Sequence, residues 1–223
     1  GIPRLRVSSL EPVGIDARLI DAMAAHPALC RHVHLCLQSG DDGVLRAMRR
    51  GYTAADYRCL IAQLRAAMPD AVFTTDVIAG FPGESEAAFQ QTVAFVREIG
   101  FIKLHIFPFS PRPGTAAAAM PDQVPQAVKA ARCRTLVEVE RALFRAYAGA
   151  QIGRTVPVLV EHTGRYGDGL TPHYLRVTAP FPAAAAGQIV PVRVTGVADD
   201  GVAGEILCTD GADSDTGHGL TVG

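Results

Sequence analysis

Two short apolar runs end in small polar residues and glycine, which places groups capable of chemistry at the ends of buried strands. Residues 34–40 read HLCLQSG, and residues 74–84 read TTDVIAGFPGE. Buried parallel strands are near-continuous apolar runs, and α/β folds build their active sites at the carboxyl ends of such strands. Amide, hydroxyl and carboxylate groups at that edge hold a ligand by hydrogen bonds. The two runs therefore predict a small-molecule site.

Cysteine and histidine side chains, the usual metal ligands, show no functional spacing. No two of the five cysteines are separated by the two- or three-residue gaps of a metal or cluster motif. We expect reduced and mostly buried thiols at Cys30, Cys36, Cys59, Cys133 and Cys208. His32, His34 and His105 are interpreted as polar residues of strand ends. The sequence thus predicts no metal ligand and no catalytic residue.

The composition is that of a globular protein of one large or two smaller domains. The chain has 223 residues, of which 48% are hydrophobic and 19% charged. It contains no apolar run long enough to span a bilayer and no signal peptide, so we expect a cytoplasmic protein. Residues 1–150 carry 17 basic and 14 acidic side chains, whereas residues 151–223 carry four and eight. This asymmetry favours a nucleic-acid surface in the first part.

Residues 1–149 alternate strand-like and helix-like segments, which predicts a parallel sheet with helical crossovers. Asp16 is the expected N-cap of the first helix, and Thr53 with Asp56 resembles a capping box. A long helix is predicted over residues 128–147, with Leu136, Val139, Leu143 and Tyr147 facing inward. The predicted strands cover residues 5–9, 32–37, 72–78 and 104–109.

The pattern changes after residue 150. Short β-type runs separated by turn residues predict a small all-β barrel over residues 150–208. Its predicted strands cover residues 156–161, 174–177, 189–194 and 204–207. Residues 209–223 are polar and glycine-rich, so a disordered tail is predicted there.

Five motifs in order resemble the radical S-adenosylmethionine methylthiotransferases. They are residues 4–12 (RLRVSSLEP), 34–40 (HLCLQSG), 48–53 (MRRGYT), 76–84 (DVIAGFPGE) and 107–115 (FPFSPRPGT). Residues 155–207 resemble the TRAM domain, an OB-like RNA-binding barrel. The resemblance implies an α/β fold: the C-terminal portion of a radical SAM partial TIM-like barrel, followed by a small all-β barrel.

Within this family, residues 8–12 and 104–110 resemble most closely the enzymes acting on threonylcarbamoyl-adenosine in tRNA. The implied reaction is methylthiolation at C2 of that base, next to the anticodon. Members acting on isopentenyl-adenosine in tRNA, or on a ribosomal protein, are the alternatives. A non-catalytic RNA-binding remnant and an unrelated phosphate-binding α/β-barrel enzyme are rival interpretations.

The resemblance implies S-adenosylmethionine and two 4Fe-4S clusters as cofactors of the full-length protein. The family's cluster ligands include a Cys-x-x-x-Cys-x-x-Cys loop, which these residues do not contain. The chain also begins at Gly1 directly in a strand-like segment. We therefore expect a piece of a longer protein that is inactive alone, is monomeric, and binds the anticodon loop of tRNA.

The resemblance also implies binding roles for residues at the strand ends. Gln38 and Ser39 would hydrogen-bond the ribose of the cofactor, with turn capping as the alternative role. Ile78, Gly80 and Phe81 would pack along the adenine, with ordinary core packing as the alternative.

Arginines complete the implied binding set. Arg50 would hold the cofactor carboxylate or an RNA phosphate, unless it is simply a solvated helix residue. Ser110 is assigned to the cofactor site and Arg112 to RNA, both at the mouth that follows the fourth strand. In the terminal barrel, the implied RNA-binding residues are Arg165, Arg176 and Arg193.

Overall fold

The computed structural model describes residues 1–207 and contains two β-structures connected by one long helix. The first is a three-stranded parallel sheet, and the second is a closed barrel of five strands. The predicted disordered tail, residues 209–223, lies outside the described residues. Among residues 1–207, no helix combines the length and the apolar character needed to cross a membrane.

Strands and helices alternate through the first part of the chain, as the sequence predicts. The parallel strands lie side by side in the order β1 (His32–His34), β2 (Val72–Ala79) and β3 (Lys103–Pro108). The helices around them are α1 (Ala17–Ala25), α2 (Asp42–Ala47), α3 (Ala54–Ala67) and α4 (Glu86–Ile99). A 3-10 turn at Ala116–Ala119 precedes the long helix α5 (Gln126–Gly149).

The strand predicted for residues 5–9 is wrong. Instead, Leu5 and Leu10 make isolated parallel bridges with Leu29 and Leu35. The two bridges are five residues apart on one side and six on the other. Because the two spacings differ by one residue, a continuous β-ladder cannot connect the two bridges, and the segment does not form a strand.

Two helix starts predicted from the sequence are confirmed. Asp16 Oδ1 accepts a hydrogen bond from the backbone N–H of Leu19 at 2.8 Å. Thr53 and Asp56 form a reciprocal capping box at the start of α3. Each cap contributes roughly 1 kcal/mol to stability, which helps to fix where the chain enters each helix.

Helix α5 belongs to two hydrophobic cores. Leu136 and Val139 are buried in the core of the parallel sheet, and Leu143 packs against the same core. Ala148 is buried in the barrel core, against which Tyr147 packs. The predicted inward face of the helix therefore exists, and its members divide between the sheet and the barrel.

The barrel strands are β4 (Thr155–His162), β5 (Gly164–Leu170), β6 (Arg176–Phe181), β7 (Ile189–Val197) and β8 (Val202–Ile206). They lie in the spatial order β4-β5-β6-β8-β7, and pairing of β7 with β4 closes the barrel. All neighbouring pairs are antiparallel except β6 and β8. A 3-10 turn at Ala183–Ala185 connects the third strand to the fourth.

Strand β5 is the one barrel strand that the sequence pattern did not predict. It reads GRYGDGL, and glycine normally weakens a strand. Here the backbones approach so closely that a side chain would collide. A Cβ at Gly169 would lie 2.2 Å from the carbonyl oxygen of Leu159, and one at Gly167 would lie 2.5 Å from that of His162. The glycines thus permit closure of the barrel.

The segment that follows β5 packs onto the edge of the parallel sheet. The Arg4 guanidinium donates to the carbonyl oxygens of Leu170 at 2.7 Å and Pro157 at 2.8 Å. The ring of Tyr174 stacks on His32, with ring centroids 4.5 Å apart and planes at 11°. Burial lowers the pKa of His32 to about 3, so the stacked imidazole is neutral at pH 7.

Candidate functional site

A cavity of about 540 Å³ lies at the carboxyl ends of β2 and β3, beside the residues that follow β1. This size falls within the range of small-molecule sites, and the walls combine apolar and aromatic groups with a few polar ones. The lining residues are Gln38, Asp76, Ile78, Phe107, Pro108, Phe109, Ser110, Arg112, Thr115 and Ala117. The structure thus brings together Gln38, Ile78, Ser110 and Arg112, four of the residues singled out by sequence.

Gln38 reaches this cavity because its backbone continues the line of β1. Its N–H donates to the carbonyl oxygen of Asp76, and its own carbonyl oxygen accepts from the N–H of Ile78, both at 2.9 Å. The residue has φ of +68°, a left-handed conformation that costs energy for any residue other than glycine. The two backbone bonds hold Gln38 in that conformation at the cavity wall.

The sequence did not indicate the other six lining residues, among which Asp76 and Phe107 lie on the strands themselves. Successive side chains of a strand alternate between faces, so Asp76 lies on the same face as Ile78. The register of β2 and β3 places Ile78 beside Phe107. The alternation was readable from the sequence, whereas the register between the two strands was not.

Gly80 and Phe81 pack behind the cavity and do not line it. Gly80 has φ of +78°, and a Cβ there would lie 2.4 Å from Cγ of Lys129. The close approach permitted by this glycine is therefore to a helix side chain rather than to a ligand. Phe81 packs edge-on against Phe109, with ring centroids 5.1 Å apart.

Buried charges on α5 fix the loops on both sides of the cavity. Arg132 donates to Glu84 Oε2 at 2.7 Å, and Glu84 Oε2 also accepts the N–H of Gly80 at 2.7 Å. Burial raises the pKa of Glu84, while the hydrogen bond from Gly80 and the charge of Arg132 oppose that rise. Lys129 Nζ donates to the carbonyl oxygen of Phe109 at 2.9 Å.

Ser39 and Arg50 lie outside the cavity lining. Ser39 is fully buried; its Oγ lies 3.1 Å from Thr92 Oγ1 and accepts the N–H of Asp41 at 3.2 Å. This geometry is that of turn capping, the alternative role for Ser39. Arg50 pairs with Glu11 at 2.9 Å.

The cysteines of the described residues do not form a site for an iron–sulfur cluster. Two groups of three metal-ligating side chains occur within residues 1–207, and neither includes a cysteine. Cys36 Sγ donates to Asp76 Oδ2 at 3.7 Å, and burial raises the pKa of this thiol to about 11. Cys30 is also buried, whereas Cys59 is exposed. The described residues therefore do not fit a cluster.

The three arginines predicted to bind RNA lie in different settings on the barrel. Arg165 is exposed and lies over the ring of Tyr166, with 5.4 Å between guanidinium carbon and ring centroid. Arg176 pairs with Asp168 at 2.7 Å and with Glu161 at 3.3 Å.

Arg193 lies on β7, which β8 separates from the strand of Arg176 and β4 separates from the strand of Arg165. It lies beside Thr155 on β4 and Glu205 on β8. A second cavity, of about 700 Å³, lies between β3, α5 and the barrel, away from the carboxyl ends of the parallel strands. Its charged lining residues are Lys103, Glu140, Arg141, Arg145, Arg176, Asp199 and Asp200.

Comparisons with known proteins show what the first part of the chain is similar to. A family model described as the Radical SAM superfamily matches residues 4–96. The chain contains part of a radical SAM fold. A solved structure of coproporphyrinogen III oxidase from Escherichia coli, described as a radical SAM enzyme, aligns with a TM-score of 0.53 at 17% identity. That alignment covers 63% of this chain and 32% of the oxidase, and together these findings confirm the predicted fold class.

Curated relatives match almost the whole chain. It is 40% identical over 199 residues to the tRNA-2-methylthio-N(6)-dimethylallyladenosine synthase of Syntrophotalea carbinolica, covering 87% of this chain and 45% of the relative. A protein of the same name from Chloroflexus aurantiacus is 43% identical over 201 residues, covering 87% and 43%. The chain therefore spans less than half the length of these relatives.

The names of these relatives bear on the predicted subfamily. Each specifies dimethylallyladenosine, that is, isopentenyl-adenosine, as the modified base. The threonylcarbamoyl type that the sequence motifs favoured is therefore not supported. The isopentenyl type, which stood as the alternative, agrees better with the comparisons.

Proposed function

We propose that this chain forms the S-adenosylmethionine-binding and tRNA-contacting part of an enzyme that methylthiolates dimethylallyladenosine in tRNA. The observation that carries the proposal is the cavity at the strand ends, where Gln38, Ile78, Ser110 and Arg112 meet. Homology to synthases of this named activity, at 40–43% identity, supports the choice of reaction.

The cavity residues suit the parts of S-adenosylmethionine. The amide of Gln38 provides both a donor and an acceptor for ribose hydroxyls. Ile78 and Phe107 offer adjacent apolar surface for the adenine ring. Ser110 supplies a further hydroxyl at the same cavity, and Arg112, which also lines it, is left for an RNA phosphate.

The chain's own residues bind and position rather than perform acid–base chemistry. In this reaction class, S-adenosylmethionine and iron–sulfur clusters supply the radical chemistry. The described residues do not fit a cluster, so this part of the protein orients the cofactor and limits access of water to it. Lys129 and Arg132 contribute by fixing the loops that carry Phe109 and Gly80.

The proposed tRNA contacts lie at the cavity mouth and on the barrel. A base in a single-stranded loop can be turned into a pocket without breaking a duplex, and Arg112 is placed to contact a neighbouring phosphate. On the barrel, the ring of Tyr166 is 77% exposed and is covered on one side by Arg165. Such an exposed aromatic with an adjacent cation is a stacking surface for an unpaired base.

Calorimetric titration with S-adenosylmethionine tests the cofactor site. We expect Gln38→Ala to weaken binding about tenfold, equivalent to about 1.4 kcal/mol. Gln63→Ala, at an exposed position on α3, is the matched control and should bind as the unmodified chain does. Equal affinities of the two variants would contradict the proposed site, provided that both keep the melting temperature of the unmodified chain.

A further inference from the structure

We propose that His34, Asp76 and His105 form a binding site for a single transition-metal cation of the zinc class. The three side chains come from three neighbouring strands or their ends, and their ligand atoms all lie within 4.8 Å of one another. Sequence spacing did not indicate this set, because only the register of the parallel sheet brings its members together.

The backbone of the sheet determines this arrangement. Asp76 on β2 lies directly beside His105 on β3. His34, the last residue of β1, lies beside Thr74, two residues before Asp76 on the same face of β2. Three ligands on a hydrogen-bonded sheet are held more rigidly than ligands on loops.

The observed distance fits tetrahedral coordination. His34 Nε2 lies 3.3 Å from Asp76 Oδ1. Two ligand atoms bound about 2.0–2.1 Å from a tetrahedral zinc ion are separated by roughly 3.3 Å. His105 is exposed, and its ring centroid lies 5.3 Å from that of His34, so rotation of its side chain can complete the set.

A hydrogen bond behind the site orients one of the ligands. Thr74 Oγ1 lies 2.9 Å from Nδ1 of His34, which leaves Nε2 for the cation. A partner on the second ring nitrogen is the usual companion of a metal-binding histidine. Thr74 is itself buried, so this orientation is fixed by packing.

Charge distinguishes this cluster from the second group of metal-ligating side chains, Glu161, His162 and Asp168. In that second group, the Arg176 guanidinium already pairs with both carboxylates. Among the ion pairs of residues 1–207, the partner of Asp76 is His34, and it has no Lys or Arg partner. A divalent cation would supply the positive charge that this carboxylate lacks.

The ligand set selects the class of metal. Imidazole nitrogen with carboxylate oxygen suits zinc, cobalt and iron(II), whereas magnesium and calcium prefer oxygen alone. Asp76 belongs to both the metal cluster and the cavity lining, so a bound cation would lie at the edge of the proposed cofactor cavity.

Metal titration of the whole chain, stripped with chelator, tests this site without any cluster or cofactor. All proteins carry Cys59→Ser, which removes the exposed thiol among the cysteines of residues 1–207. We expect one equivalent of Zn²⁺ to bind, and His105→Ala and Asp76→Asn each to weaken binding at least tenfold. His162→Ala, in the second group, is the matched control and should bind as its parent does.

Cobalt spectroscopy identifies the ligands. A tetrahedral Co²⁺ spectrum without thiolate charge-transfer absorption is expected, and it should disappear in His105→Ala. Absence of binding, binding unchanged by His105→Ala and Asp76→Asn, or a thiolate spectrum would overturn the proposal. Since His105 is exposed, its substitution should preserve the fold, which circular dichroism of the variant checks.

Discussion

At the ends of the parallel strands, polar side chains face a cavity. On the barrel wall, by contrast, several charged side chains pair with one another. Gln38, Asp76 and Arg112 line the cavity. On the barrel, Arg176 is neutralised by Asp168 and Glu161. The number of arginines in a region is therefore a poor guide to anion binding, because the carboxylate partners of a paired arginine offset its positive charge.

The two regions also differ in what holds them together. The loops around the cavity depend on buried charges from α5, such as the pair between Arg132 and Glu84. The barrel depends on backbone pairing, and glycines such as Gly169 allow its strands to approach. Substitutions should therefore damage the two regions in different ways.

The largest effect is expected for Gly169→Val. Its side chain would collide with the backbone of Leu159, so we expect a loss of about 5 kcal/mol or more, or failure of the barrel to close. Urea denaturation measures the loss. Gly196→Ala is the control, because a Cβ at Gly196 meets nothing within 4 Å. Similar stabilities of the two variants would contradict the role of close approach.

Arg132→Leu should destabilise the sheet region by about 3–5 kcal/mol, because it leaves the carboxylate of Glu84 buried without its partner. Adding Glu84→Gln should recover part of the loss in chemical denaturation. Arg58→Leu, which breaks an exposed pair with Glu98, should have a much smaller effect. No recovery in the double variant would show that the pair acts through packing alone.

Only those parts of the fold that follow local sequence patterns could be predicted from the sequence. The caps at Asp16 and Thr53 and the inward face of α5 follow local rules, so they were predicted correctly. Strand β5 was missed because its glycines lower strand propensity, and only the neighbouring strands reveal why they are needed.

In the candidate site, too, some residues follow from local motifs and others only from the pairing of strands. Motif order placed Gln38 and Ile78 at the strand ends, where the cavity lies. The cluster of His34, Asp76 and His105 depends on the register of three strands, which no local pattern contains. Ser39 and Arg50 lie outside the cavity, where Ser39 caps a turn and Arg50 pairs with Glu11.

On the barrel, Tyr166→Ala should weaken tRNA binding by about 1–3 kcal/mol, the usual value of one base stacked on an aromatic ring. Tyr166→Phe keeps the ring and should retain the affinity. Filter binding with an anticodon stem-loop measures both. A loss in the Phe variant as large as that in the Ala variant would argue against stacking.

The smallest effect is expected for Arg176→Gln. Because two carboxylates already pair with Arg176, we expect tRNA affinity to change by less than about 1 kcal/mol. Arg193→Gln should instead lower affinity and reduce its salt dependence, since the described residues show no ion pair for Arg193. Filter binding over a range of salt concentrations distinguishes the two variants. A larger loss of affinity in Arg176→Gln than in Arg193→Gln would contradict the expected effect of ion pairing.

A crystal structure of the chain soaked with S-adenosylmethionine would show where the cofactor binds. We expect the cofactor in the 540 Å³ cavity, with adenine against Ile78 and Phe107 and a ribose hydroxyl bonded to Gln38. Cofactor bound instead in the larger cavity between α5 and the barrel would contradict it.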